Sequence, residues 1–91
     1  MNDITPEKLD KYLLITKTAL EKARIHTKKT KESAIILDMT ERYLSDAQWF
    51  KKKGETANAF AAINYAHGWL DCGARLGILN VQRDNELFTV D

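Results

Sequence analysis

The chain has 91 residues, 44% hydrophobic and 30% charged, with a net charge of +1 at neutral pH, one cysteine, one proline and four glycines. That length makes one domain with a modest core, and the composition is that of a folded chain rather than a disordered one. The near-zero charge supplies no field to gather nucleic acid or an anionic membrane, and a lone Cys72 excludes an internal disulfide and a cysteine-based zinc site.

No stretch of about 18 apolar residues is present to cross a bilayer. The opening MNDITPEKLDKY lacks the apolar segment of a secretory signal, so a cytoplasmic, full-length chain is expected. Thr5-Pro6 reads as a helix start, with Thr5 as N-cap and Pro6 at N1, where a missing N–H costs nothing. Glu7 suits the positive end of the dipole. Leu9, Leu13, Thr16, Leu20 and Ala23 then recur at alternating spacings of four and three, which is one face of a helix over about 6–26. HTKKTKES interrupts that pattern without Gly or Pro. A second helix over about 30–53 carries Ile36, Met39, Tyr43, Ala47 and Phe50 at seam spacing, widened by Leu37 and Leu44. Lys51, Lys52 and Lys53 crowd its last turn, and Gly54 suits the C′ position.

The third predicted helix, about 55–77, is unusual. Wound at about 100° per residue, it places Ala59, Ala62, Ile63, Ala66, Leu70, Gly73 and Gly77 on one side. Asn58, Tyr65, Trp69 and Leu76 flank that side one way, and Phe60, His67, Ala74 and Ile78 the other. The apolar sector spans roughly 220°, about twice that of an ordinary surface helix. Asn64, Asp71 and Arg75, with Gly68 among them, make the only polar strip. Each interior glycine costs a helix about 1 kcal/mol relative to alanine. Gly77 is explained as a C′ residue with Ile78 folding back, and Gly73 by close packing. Gly68 lies where core packing gives no reason for it. The tail over about 79–91 has no helical period, although Leu87, Phe88 and Val90 are apolar enough to dock. Three helices with short connections make an all-α, up-down-up bundle.

The block YLSDAQWFKKKGETANAFAAINYAHGWLDCGARLGIL resembles the archaeal family catalogued as domain of unknown function 357. The resemblance rests on Tyr43, Asp46, Ala47, Gly54, Glu55, Tyr65, Ala66, His67, Gly68, Trp69, Leu70, Asp71, Gly73 and Gly77, with Cys72 where the pattern has Ala. It covers the second and third helices; the first matches in character only. It implies a three-helix bundle and an archaeal origin, and no assigned activity.

Several constellations qualify as sites. His67 and Asp71, at i and i+4, can touch, either as an Asp-oriented general base or as a structural pair. Asp71 and Arg75 have the same spacing. With Asn64 around Gly68 they form either a solvated strip or a small polar site open to a phosphate or a partner backbone. Asp46 is a candidate to join Asp71, but the Glu-x-x-His motif of di-iron bundles is absent, so neither metal nor cofactor is assigned. The lysines at 28, 29 and 31 and those at 51–53 fall at opposite ends of the second helix and make no continuous basic face, so nucleic acid is not an expected partner. Trp49, Tyr65 and Trp69 are either core or anchors of an interface. The reading adopted is a non-catalytic interaction module that engages an unknown protein or a second copy of itself through the third helix, with no catalytic residue. The alternative is a small-ligand or catalytic site on the His67/Asp71/Arg75 strip.

Overall fold

A computed structural model of the chain describes residues 4–88. Three helices, α1 (Pro6–His26), α2 (Lys31–Lys52) and α3 (Thr56–Arg75), run up, down and up, with no strand among the described residues. Val90, a predicted docking residue, lies outside them. The bundle measures 38 × 24 × 17 Å. α3 packs most extensively against α2 and less against α1, while α1 and α2 touch least, so α3 is the hub.

Local chemistry sets each boundary. The Thr5 hydroxyl accepts from the Lys8 amide at 3.1 Å, and Pro6 occupies the first turn. Thr30 and Ser33 form a reciprocal capping box that starts α2. Its use of Ser rather than Glu or Gln at N3 explains why the sequence shows no obvious signal there. α2 and α3 both end in the same paired motif. After α2, Gly54 (φ +76°) donates to Lys51 and Glu55 donates to Phe50. After α3, Gly77 (φ +74°) donates to Ala74 and Ile78 donates to Gly73. These 5→2 and 6→1 bonds with glycine in the left-handed region satisfy the last carbonyls of each helix. The motif stops α3 at Arg75, two residues short of the predicted end.

The core follows the predicted seams on α1 and α3. Leu9, Leu13, Thr16, Leu20 and Ala23 are buried on α1, and Ala59, Ala62, Ile63, Ala66, Leu70 and Gly73 on α3. On α2 the buried line is Ser33, Ile36, Thr40, Leu44 and Ala47, which moves Met39, Tyr43 and Phe50 to its half-buried edge. Thr40 is tolerated there because its hydroxyl donates to the Ile36 carbonyl at 2.8 Å. Tyr12 meets Phe60 edge-on at 5.4 Å, closing the α1–α3 side.

Beyond α3 the chain turns back along the α1–α3 side, past Thr27, Lys22 and His67 in turn, and buries Leu79, Val81 and Phe88. A Cβ on Gly73 would lie 2.8 Å from the Leu79 Cγ and 3.2 Å from the Ile36 Cδ1. The glycine therefore makes room for side chains of the returning segment and of α2.

Candidate functional site

The side of α3 facing α1 carries His67, which is half-buried with both ring nitrogens engaged. Nε2 lies 2.7 Å from the Leu87 carbonyl oxygen and Nδ1 lies 3.0 Å from the Thr16 hydroxyl. A carbonyl only accepts, so Nε2 carries a proton; in the neutral ring Nδ1 then accepts from the hydroxyl of Thr16. One imidazole thus ties α3 to α1 and to the returning segment, with the Phe88 ring 6.4 Å away. The Asp71 carboxylate lies 3.7 Å from Nε2, too far for a hydrogen bond. Both ring nitrogens thus have partners within the chain.

The returning segment is fixed at two further points. Its Asn80 amide donates to the Thr27 hydroxyl at the end of α1. The Asp84 carboxylate accepts from the amides of Glu86 and Leu87, each at 3.0 Å, and from the Lys22 ammonium at 2.9 Å. The Lys22 bond foremost, then the Leu87 amide, holds the Asp84 carboxyl below its ordinary pKa against the opposing effect of desolvation.

The outward side of α3 is different. Tyr65 and Leu76 are 62% and 68% exposed. Ala61, Asn64, Tyr65, Gly68, Trp69 and Cys72 line an open groove of about 580 Å³. Tyr65 is braced by Tyr43 of α2, whose ring stacks on it at 5.3 Å with 20° between the planes. Nothing lies within 4 Å of a Cβ built on Gly68, so no packing inside the chain requires glycine there. Its lack of a side chain keeps the middle of the groove open.

The structure distributes the remaining predicted residues. Asn64 and Gly68 line the groove with Tyr65 and Trp69. Asp71 and Arg75 line the adjoining hollow with Cys72 and Leu76. His67 lines neither; its ring engages Thr16 and Leu87, with the Asp71 carboxylate 3.7 Å from Nε2. Asp46 sits in a hollow on α2 with Met39, Arg42, Tyr43 and Ser45. The polar strip and Asp46 therefore do not converge on one pocket. Trp49, at the end of α2, is 53% exposed and does not line the groove; the Lys53 ammonium lies 4.1 Å over its ring and Phe50 meets it edge-on. Among the described residues no group of three or more His, Cys, Asp or Glu side chains is arranged to hold a metal ion, and no helix is long and apolar enough to cross a membrane.

The sequence singled out most of the groove's lining but not its extent. Ala61 and Cys72 gave no signal as single residues. They gain meaning from the spacing 61, 65, 68, 72, 76, which winds one continuous line along the exposed side of α3.

A family model described as "Protein of unknown function (DUF357)" matches residues 11–79. No curated protein and no solved structure matches the chain significantly.

Proposed function

Because the chain belongs to the DUF357 family, whose description assigns no activity, we propose from its geometry that it is a non-catalytic protein-docking module whose docking face is the exposed side of α3. The observation that carries this is the groove itself: a line of apolar and small residues on one helix, open to solvent and braced by the Tyr43–Tyr65 stack. Exposed apolar residues scattered singly are ordinary, as Leu14 and Ile25 on α1 and Ile35 on α2 illustrate. A contiguous line with two aromatic rings and a polar edge is the pattern of an interface. The site of action we assign is the cytoplasm of an archaeal cell. The His67/Asp71/Arg75 alternative is the weaker reading, since His67 is turned inward and engaged on both nitrogens.

Photo-crosslinking in the native cell tests the docking face. Benzoylphenylalanine replacing Leu76, 68% exposed beside the groove, is expected to form discrete covalent adducts. The same probe replacing Leu14, 66% exposed on α1, is expected to form none. No adduct from Leu76, or equal adducts from both positions, would overturn the proposal.

A further inference from the structure

We infer that residues 80–88 form a strained strap that lifts from the bundle as a unit while the three helices stay folded, and that its lifting uncovers His67. The inference is independent of the docking reading above.

The strap is organised by its own bonds. The Asn80 side-chain oxygen accepts from the Gln82 amide at 3.1 Å, and the Asp84 amide donates to the Val81 carbonyl at 3.1 Å. The Asp84 carboxylate accepts from the amides of Glu86 and Leu87, and the Phe88 amide donates to the Asp84 carbonyl. These local bonds satisfy backbone groups of the strap without help from the helices, so they survive when it detaches. Its attachment is of another kind. The Asn80 amide reaches the Thr27 hydroxyl, the Asp84 carboxylate the Lys22 ammonium and the Leu87 carbonyl the His67 ring, while Val81 and Phe88 are buried. A segment with few buried apolar groups, tied to its support through side chains, belongs to the low-stability end of a protein. Lifting does not unravel α3. That helix is closed by the Gly77 and Ile78 amides, and the Leu79 amide also donates to the Gly73 carbonyl, so Leu79 belongs to the cap.

The turn at the strap's tip is strained. Gln82 and Arg83 have φ of 54° and 57°, and the Asp84–Val81 bond makes them the central pair of a β-turn with the type I′ pattern. That turn favours glycine or asparagine, which reach the left-handed region at low cost. Gln and Arg have neither a missing Cβ nor a short polar side chain to bond the local backbone. Both side chains are exposed, so their own burial does not offset the strain. The conformation is imposed from either side, by Val81 in the core and by Asp84 on Lys22. Lifting frees both residues to return to negative φ, so the closed state works against its own turn. Strain of this kind persists only where surrounding contacts over-determine it, and it clusters in elements that switch.

Lifting has a chemical consequence. The Leu87 carbonyl leaves Nε2 of His67, and the Phe88 ring, 6.4 Å from the imidazole, leaves with it. The bond from Nδ1 to Thr16 does not involve the strap, so the ring stays placed with Nε2 open to solvent and Asp71 of the same helix beside it. The strap therefore decides whether this imidazole is engaged within the chain or available to solutes.

Amide hydrogen exchange followed by NMR, with histidine modification by diethyl pyrocarbonate, tests the device on the full chain. The amides of Asp84 and Phe88 are expected to exchange through one shared opening, at a lower free energy than the central amides of α3. His67 is expected to react more slowly than the exposed His26. Arg83→Gly relieves strain at an exposed position. It should lower the opening constant and the His67 modification rate about fivefold, the equivalent of about 1 kcal/mol. Asp84→Asn loses the Lys22 ion pair but keeps an acceptor for the Glu86 and Leu87 amides, and should raise both quantities severalfold. His26 should respond to neither change, and circular dichroism checks that both variants keep their helices. Strap amides that exchange only together with the helix centres would overturn the lift. So would an Arg83→Gly variant whose opening is unchanged or more frequent, because the turn would then carry no strain. His67 that reacts as fast as His26 in the wild type, or at a rate indifferent to both variants, would show that the strap does not cover it.

Discussion

Three glycines of α3 and its cap act for three separate reasons. Gly77 takes a left-handed φ that ends the helix. Gly73 faces Leu79 and Ile36 at distances that leave no room for a side chain. Gly68 faces open space. Opposite mutational effects are expected at the last two. Gly73→Val forces a branched side chain into the Leu79 and Ile36 methyl groups. Overpacking of this kind costs about 1–3 kcal/mol, which for a domain of this size lowers the melting temperature by roughly 4–8 °C per kcal/mol. Gly68→Ala should instead raise the melting temperature by a few degrees, through the ~1 kcal/mol gain in helix propensity. Thermal unfolding followed by circular dichroism checks both, and the same sign at both positions would refute the assignment.

Among the elements, the returning segment 76–88 is the one whose role depends on polar links as much as on burial. Its apolar anchors, Leu79, Val81 and Phe88, lie under the bundle's edge. Asn80, Asp84 and the Leu87 carbonyl fasten it to Thr27, Lys22 and His67. The Asp84 link gives the segment a defined acid sensitivity. Its folded pKa lies below the ordinary 3.8, so the stability it contributes is present above that value and is lost as pH falls through the lowered one. Acid titration of the wild type below about pH 4 should therefore show a loss of stability that is smaller in Asp84→Asn, which has no carboxyl to protonate. Parallel acid curves for the two proteins would show that the Lys22–Asp84 link contributes nothing. The other ion pairs, such as Arg42–Asp38 and Lys51–Asp10, lie on exposed surface and are expected to matter little.

In the whole molecule, α3 is the common partner. It packs against both other helices, while α1 and α2 share little contact of their own. α1 is held mainly by α3 and by the returning segment, through Thr16, Lys22 and Thr27. Native-state hydrogen exchange should protect the central amides of α2 and α3 most strongly and release α1 at a lower opening free energy. Protection of α1 equal to that of α3 would contradict the hub arrangement. The same hub presents its remaining side to solvent, which is why one helix supplies both the core and the candidate docking face.

How much could be read in advance differs by element. The Thr5-Pro6 start, the Gly54 and Gly77 stops and the buried faces of α1 and α3 were legible, because caps and helical periodicity are local properties of the chain. The α2 seam was misplaced toward Met39, Tyr43 and Phe50, because Ser33 and Thr40 are polar and their burial depends on hydrogen bonds no periodicity count detects. The wide apolar sector of α3 was visible, but which part of it would stay uncovered was not. Helical spacing showed that His67 and Asp71 can approach, as a general base or as a structural pair; the fold added what spacing does not show, the imidazole set between Thr16 and Leu87, fifty-one and twenty positions away. By itself the sequence determined the three helices, the start of the first, the glycine stops of the others and the excess of apolar surface on the third, since these follow from neighbours within a few turns. Only the tertiary structure decided that the last segment folds back, that it claims His67 and Gly73, and that Ala61, Tyr65, Gly68, Cys72 and Leu76 are left facing water. Those outcomes depend on contacts between residues far apart in the chain, which the periodicity of a single helix does not encode.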